Sequence, residues 1–206
     1  MFNNFLARAA LLMAAVVPAL ATAIEEPAYE LVASWDNSGV EIRYYEPKVL
    51  AMTNMAAGES SGFRVLAAYI FGGNAAEQEI EMTAPVQRTM PANNRGEMAF
   101  VMPAKFGLED LPAPNDQRVR FVEEPAYHAA VIRFNGRMTE EKVDEQWQLL
   151  SEFLADKGIE TLGPPTLNQY NPPWTLPFMR RNEIIIPVTY PIVDGNWTAA
   201  RQVSSR

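Results

Sequence analysis

The sequence predicts a single α+β domain, with two helices packed on a strongly curved antiparallel sheet of about eight strands. Three observations carry that prediction. Apolar and polar residues alternate with a period of two in several short runs, the mark of half-buried strands. Two other segments space their apolar residues as helices do. The order strand, strand, helix, strand, strand also occurs twice, over roughly 29–103 and 117–189. A unit of that kind cannot hide its apolar sheet face alone, so the two copies are expected to pack together.

The elements follow in chain order. Residues 29–55 read as two strands around the turn Asp36-Asn37-Ser38-Gly39, with Val40, Ile42 and Tyr44 on one face and Glu41, Arg43 and Tyr45 on the other. "ESSGFRVLAAYIFGGN" reads as a short helix capped by Ser60 or Ser61, with Phe63, Leu66, Ala67 and Ile70 inward and Gly72-Gly73 as its stop. "EQEIEMTAPVQRTM" and "GEMAFVMP" read as paired strands, with Met82 beside Ile80 on the inner face and Pro85 bending the strand. A Pro-rich connector, 103–114, joins the halves. "QRVRFVEEPAYHAAVIRFNG" supplies two more strands, and "MTEEKVDEQWQLLSEFLADKG" a long helix. Thr139 is its N-cap, Val143, Trp147, Leu150 and Leu154 its buried stripe, and Gly158 its stop. "PTLNQYNP" and "RRNEIIIPV" close the sheet.

Residues 1–23 stand apart. One arginine, an apolar stretch from Ala9 to Leu20 and small residues at 21–23 form a secretory signal, with cleavage expected after Ala23 (after Ala21 as the alternative). The stretch is too short to span a bilayer as a helix, and no later segment does better. The expected product is a soluble, monomeric protein in a periplasm or outside the cell, with its domain over 24–190 and a loosely ordered tail over 191–206. The sequon at Asn196 would matter only in a eukaryotic secretory route.

Composition excludes several chemistries. The chain has 206 residues, no cysteine, one histidine and a formal charge of −8. Thiolate catalysis, cysteine zinc sites, Fe–S clusters and covalent c-type haem attachment are therefore absent. An acidic chain without basic clusters argues against nucleic acid and anionic membrane surfaces. No Gly-x-Ser-x-Gly elbow, His-Glu-x-x-His pair or phosphate-cradling glycine loop is present.

"AYIFGGN" followed by "IEMTAPV", then "VIRFNG" and "RRNEIIIPV", resemble the SOUL haem-binding family, over about Tyr29 to Val188. That resemblance implies a distorted barrel of two pseudo-symmetric halves with two helices. It also implies non-covalent binding of haem or a related tetrapyrrole, a small planar apolar ligand, for transport, buffering or detoxification. It places the ligand along the first helix, where Phe63, Arg64, Leu66, Ala67, Ala68 and Ile70 are the matching residues, with Met82 in the ligand-facing wall. Small Ala67 and Ala68 would let a flat ring approach closely. Arg64 would pair with one propionate and Arg180 or Arg181 with the other. The competing reading makes each arginine a solvated surface charge and Met82 plain core.

His128, on a strand face with Ala130, Ile132 and Phe134, is the one candidate axial ligand; a structural role competes with it. Glu79 and Glu81 share a strand face and read as its wet side, and Glu46 and Glu183 read as isolated acids. Two alternatives stay open. A hydrolase or ligand sensor on the same barrel would need a buried Glu beside a Tyr, with Tyr44, Tyr69 and Tyr127 as candidates. A partner-binding module would use a sheet edge or the connector.

Overall fold

The computed structural model describes residues 24–55, 59–90 and 96–190. The predicted signal, most of the "PANNRG" turn, the tail and Asn196 lie outside the described residues. Ten strands form one antiparallel sheet with two helices: β1 (Tyr29–Trp35), β2 (Val40–Tyr45), β3 (Lys48–Asn54), α1 (Glu59–Ile70), β4 (Val86–Thr89), β5 (Glu97–Val101), β6 (Arg120–Glu124), β7 (Tyr127–Asn135), α2 (Glu140–Lys157), β8 (Glu160–Thr161), β9 (Thr166–Gln169) and β10 (Arg181–Thr189). The strand order is β1-β2-β7-β10-β9-β4-β5-β3-β6, with β8 added to β10, and the sheet curls into a half-barrel. The α+β class and the two helices on a curled antiparallel sheet are as predicted, with ten strands where about eight were expected.

Two strand assignments differ from the sequence reading. Residues 40–54 make two strands rather than one, because Glu46-Pro47 breaks the ladder and sends β2 and β3 to distant places in the sheet. Residues 77–85 are not a strand beyond short bridges, and β4 begins only at Val86. Asn74 accounts for the start of this irregular course. Its buried side chain accepts from Ala76 and Gln78 N–H and donates to the Tyr69 and Gln78 carbonyls, so the chain curls around it instead of extending. The preceding glycines permit that curl: Gly72 has φ +95°, and a Cβ on Gly73 would lie 2.5 Å from the Ala68 carbonyl oxygen.

Each helix covers one part of the sheet. α2 has the predicted Thr139 cap and a left-handed Gly158 stop; Val143, Gln146, Leu150 and Leu154 are buried, with Trp147 half-buried beside them. They meet Val40, Ile42, Ala130, Ile132, Leu167, Ile184 and Ile186. α1 starts at Glu59, which puts Ser60 and Ser61 inside its first turn rather than at its cap. It buries Val65, Leu66, Tyr69 and Ile70 against β3 and β5, and Gly62 lets it sit close to Met55. The inward stripe is thus 65, 66, 69, 70, and Phe63 rotates to the rim, edge-on to Phe100 at 5.4 Å.

The opposite face of the sheet carries no helix, yet Arg43, Tyr45, Ala99, Val101, Ala129, Asn168, Glu183 and Ile185 on it are buried. Curling brings the two parts of this inner face towards each other and excludes water.

Candidate ligand-binding site

The solvent side of α1 is the first place to test. Helical geometry puts Phe63, Ala67 and Phe71 in a line four residues apart, with Arg64 and Ala68 beside it. Phe63 is 39% and Phe71 65% exposed, Arg64 and Ala68 are exposed and Ala67 is half-buried. Two aromatic rings therefore bracket a low floor of alanines, with a guanidinium at its edge. Leu66 and Ile70 do not belong to this surface. Both are fully buried on the sheet side of the helix, because one helical face cannot meet the sheet and a solvent-borne ligand together.

Met82 is 41% exposed and no longer follows Ile80 inward. Past Ile80, whose N–H donates to the Ile70 carbonyl, the irregular chain is held by Glu81–Lys105 and by Thr83 Oγ1 donating to the Val101 carbonyl at 2.6 Å. Glu79 and Glu81 are exposed, as expected of a wet face. Pairing of Val86 with Gln169 sets the beginning of the 171–180 loop beside the end of this segment. Arg180, at the end of that loop, folds back onto it: Nε donates to the Thr175 carbonyl at 2.8 Å and the guanidinium also reaches the Pro173 carbonyl.

Arg181 belongs to the inner face. There Glu183, 1% exposed, accepts from Arg43 Nη1 and Nη2 at 3.0 and 3.3 Å, Tyr170 Oη at 2.6 Å and Arg181 Nε at 3.2 Å. Arg181 also clamps Glu26 with two bonds and stacks over the Tyr170 ring at 3.5 Å. Arg43 bonds Tyr45 Oη and Glu41 and lies over Tyr29. Glu183 is the opposite of an isolated acid. Its partner Arg43 is 140 residues away in sequence, so no local spacing could reveal the pair. A readable hint existed: an acid inside the apolar run "EIII" of a central strand must be paired.

This network has a buried Glu beside Tyr, as the hydrolase alternative required. Its electrostatics oppose acid–base work. Four donors occupy the Glu183 carboxylate, which leaves no lone pair aimed at a substrate. Burial pushes the Tyr45, Tyr127 and Tyr170 hydroxyls well above the usual tyrosine range, and burial likewise raises Tyr69 to about 12, so all four stay protonated. Burial lowers the Arg43 guanidinium, but Tyr45 and Glu183 more than offset that, and its net shift is upward. Lys48 pairs with Glu124 and reaches Tyr127 Oη.

His128 lies half-buried on the helix side of β7, between the rings of Tyr44 and Tyr190 at 5.0 and 5.8 Å. Burial lowers its pKa, so it is neutral at neutral pH. Among the described residues no group of three or more His, Asp or Glu could hold a metal ion, and no helix is long and apolar enough to cross a membrane. A surface hollow of about 480 Å³ lies between Trp35–Ser38 and Phe153 and Lys157 of α2; none of the predicted site residues lines it.

Several solved structures share this fold. An uncharacterized conserved protein from Listeria innocua matches with a TM-score of 0.57 at 12% identity, over 74% of this chain and 93% of that one. The EcmrR C-terminal domain matches at 0.55 and 14%, over 74% and 98%. A hydrolase from Listeria innocua matches at 0.52 and 11%, over 74% and 92%. At such identities the likeness concerns the fold alone. No curated protein matches the sequence. The model of the SOUL heme-binding protein family matches residues 24–187, four-fifths of the chain. This chain belongs to the SOUL heme-binding protein family.

Proposed function

We propose that the protein binds haem or a related tetrapyrrole non-covalently on the solvent side of α1. The observation that carries this reading is the strip Phe63–Ala67–Phe71 with Ala68 beside it. Water-exposed phenylalanines flanking small residues give an apolar plane on which a flat ring can lie, and covering them recovers hydrophobic free energy. The residues fit a ring held by stacking and by one end of its anionic edge: Arg64 meets one propionate, whereas Arg180 is engaged by the Thr175 and Pro173 carbonyls and Arg181 by Glu26 and Glu183. When bound, the tetrapyrrole supplies its own light absorption and, with iron, its redox chemistry; the chain supplies a floor and a charged rim. His128 as axial ligand is not needed by this reading.

Binding for transport, buffering or detoxification outside the cytoplasm follows from the leader-like residues 1–23, and N-terminal sequencing of the exported protein checks it. Titration with hemin tests the site. A saturable Soret change at micromolar hemin is expected, weakened about ten- to a hundredfold by Arg64→Glu, since a charge-assisted bond contributes roughly 1.5–3 kcal/mol. Unchanged affinity in Arg64→Glu and Phe71→Ala would remove the ligand from α1.

A further inference from the structure

The segment between β9 and β10 exposes Trp174, Leu176, Phe178 and Met179 at 83, 55, 71 and 61%, four large apolar side chains within six positions. Most loops that expose apolar side chains also expose unpaired backbone, which resists transfer out of water. In this one a large part of the backbone is engaged internally. Pro172, Pro173 and Pro177 have no N–H to satisfy. Thr175 N–H donates to the Pro172 carbonyl at 3.0 Å, Met179 N–H to Leu176 at 2.9 Å and Arg180 N–H to Pro177 at 3.1 Å. The Arg180 guanidinium takes up the Thr175 and Pro173 carbonyls, and Arg181 N–H donates to Asn171 Oδ1 at 2.6 Å. The carbonyls of residues 172, 173, 175, 176 and 177 are all engaged inside the loop, which is thereby braced.

Its flank carries positive charge. Arg181 pairs with Asn135 across β10 and β7, and Asn182 Nδ2 donates to the Gly136 carbonyl. Arg133 and Arg137 are exposed at that end of β7, and neither forms an ion pair among the described residues. In a chain of formal charge −8 these two cations beside an apolar tip are a local exception.

We propose that this loop seats the protein on a lipid bilayer that contains anionic headgroups. Trp174, Leu176, Phe178 and Met179 enter the interface between headgroups and acyl chains, and Arg133 and Arg137 meet the lipid phosphates. A braced loop presents its apolar side chains without collapsing, and the basic flank suits phosphate. A whole-chain sum does not show two exposed arginines four positions apart at one end of β7.

The test compares the parent chain with variants sharing its N-terminus, in co-sedimentation with vesicles of phosphatidylcholine, with and without phosphatidylglycerol. The parent should sediment with the mixed vesicles and its tryptophan emission should shift to the blue. Trp174→Ser with Phe178→Ser should weaken partitioning by about tenfold or more while leaving circular dichroism and the urea midpoint unchanged. Arg133→Glu with Arg137→Glu should weaken it only on the anionic vesicles. Leu176→Lys with Met179→Lys, which retains both aromatic rings, should act like the first pair. A parent that stays in the supernatant overturns the proposal. So does equal partitioning of all variants, or loop variants that lose hemin or self-association while vesicle binding persists; the loop would then belong to the ligand site or to a protein interface.

Discussion

The inner face of the sheet and the outer side of α1 invert the usual arrangement of a small domain. Inside, Arg43 and Glu183 are 3% and 1% exposed; outside, Phe63 and Phe71 face water. The two regions differ in what they can still do. Inner-face charges are already satisfied by one another, with the Glu183 carboxylate occupied by four donors. The outer phenylalanines are left partly uncovered and gain from whatever covers the rest of them. Where charges are buried the structure is closed, and where apolar groups are exposed it is open to a ligand.

The comparison can be broken most decisively at Glu183. Glu183→Gln leaves Arg43 with only the half-exposed Glu41 as ionic partner and should cost about 3–5 kcal/mol in urea unfolding. Adding Arg43→Met should restore much of that loss; if the double variant is no better than the single one, the pair is not what the inner face depends on. On the other side of the sheet, Leu66→Ala should cost roughly 2–5 kcal/mol by leaving a cavity, with hemin binding retained in the folded fraction. Asn74→Ala should cost about 1–3 kcal/mol, because it orphans the buried groups that its amide satisfies at the end of α1.

A pH series sharpens the same contrast. Tyr45, Tyr127, Tyr170 and Tyr69 all have folded pKa values above the ordinary 10.0, so the folded state holds their protons more tightly than the unfolded one. Their contribution is complete below pH 10 and is lost as pH rises through the folded values, with Tyr69 at about 12. Stability should fall by about 1.4 kcal/mol per pH unit for each tyrosine in that window. Tyrosinate absorbance should appear together with unfolding rather than before it. The smallest effect on stability is expected at Phe71→Ala, within about 0.5 kcal/mol for so exposed a side chain, while hemin affinity drops. A large loss of stability there would mean that Phe71 is structural and the outer strip is not a free surface.

The two helices show what local sequence can settle. α2 was legible to its caps, since Thr139, the acidic first turn and Gly158 act within a few residues of each other. The sides of α1 were legible only in part. Its stripe was placed on 63, 66, 67 and 70, and the close approach allowed by Gly62 turns it to 65, 66, 69 and 70. That rotation moves Phe63 and Ala67 outward and Val65 and Tyr69 inward, while Leu66 and Ile70 stay against the sheet. The break at Pro47 and the irregular course of 77–85 were missed because alternation continues through both, while a proline and an asparagine amide decide the backbone.

By itself the sequence determined the α+β class, the ends of α2, the motif set of the family and the chemistries that a chain without cysteine cannot perform. These depend on residue type and short spacing. Only the tertiary structure decided that Glu183 lies at the centre of a four-donor network, that Arg181 is bound to Glu26, and that the 171–180 loop is braced by Arg180. Each needs side chains whose meeting depends on how the sheet curls, and curvature is a property of all ten strands together.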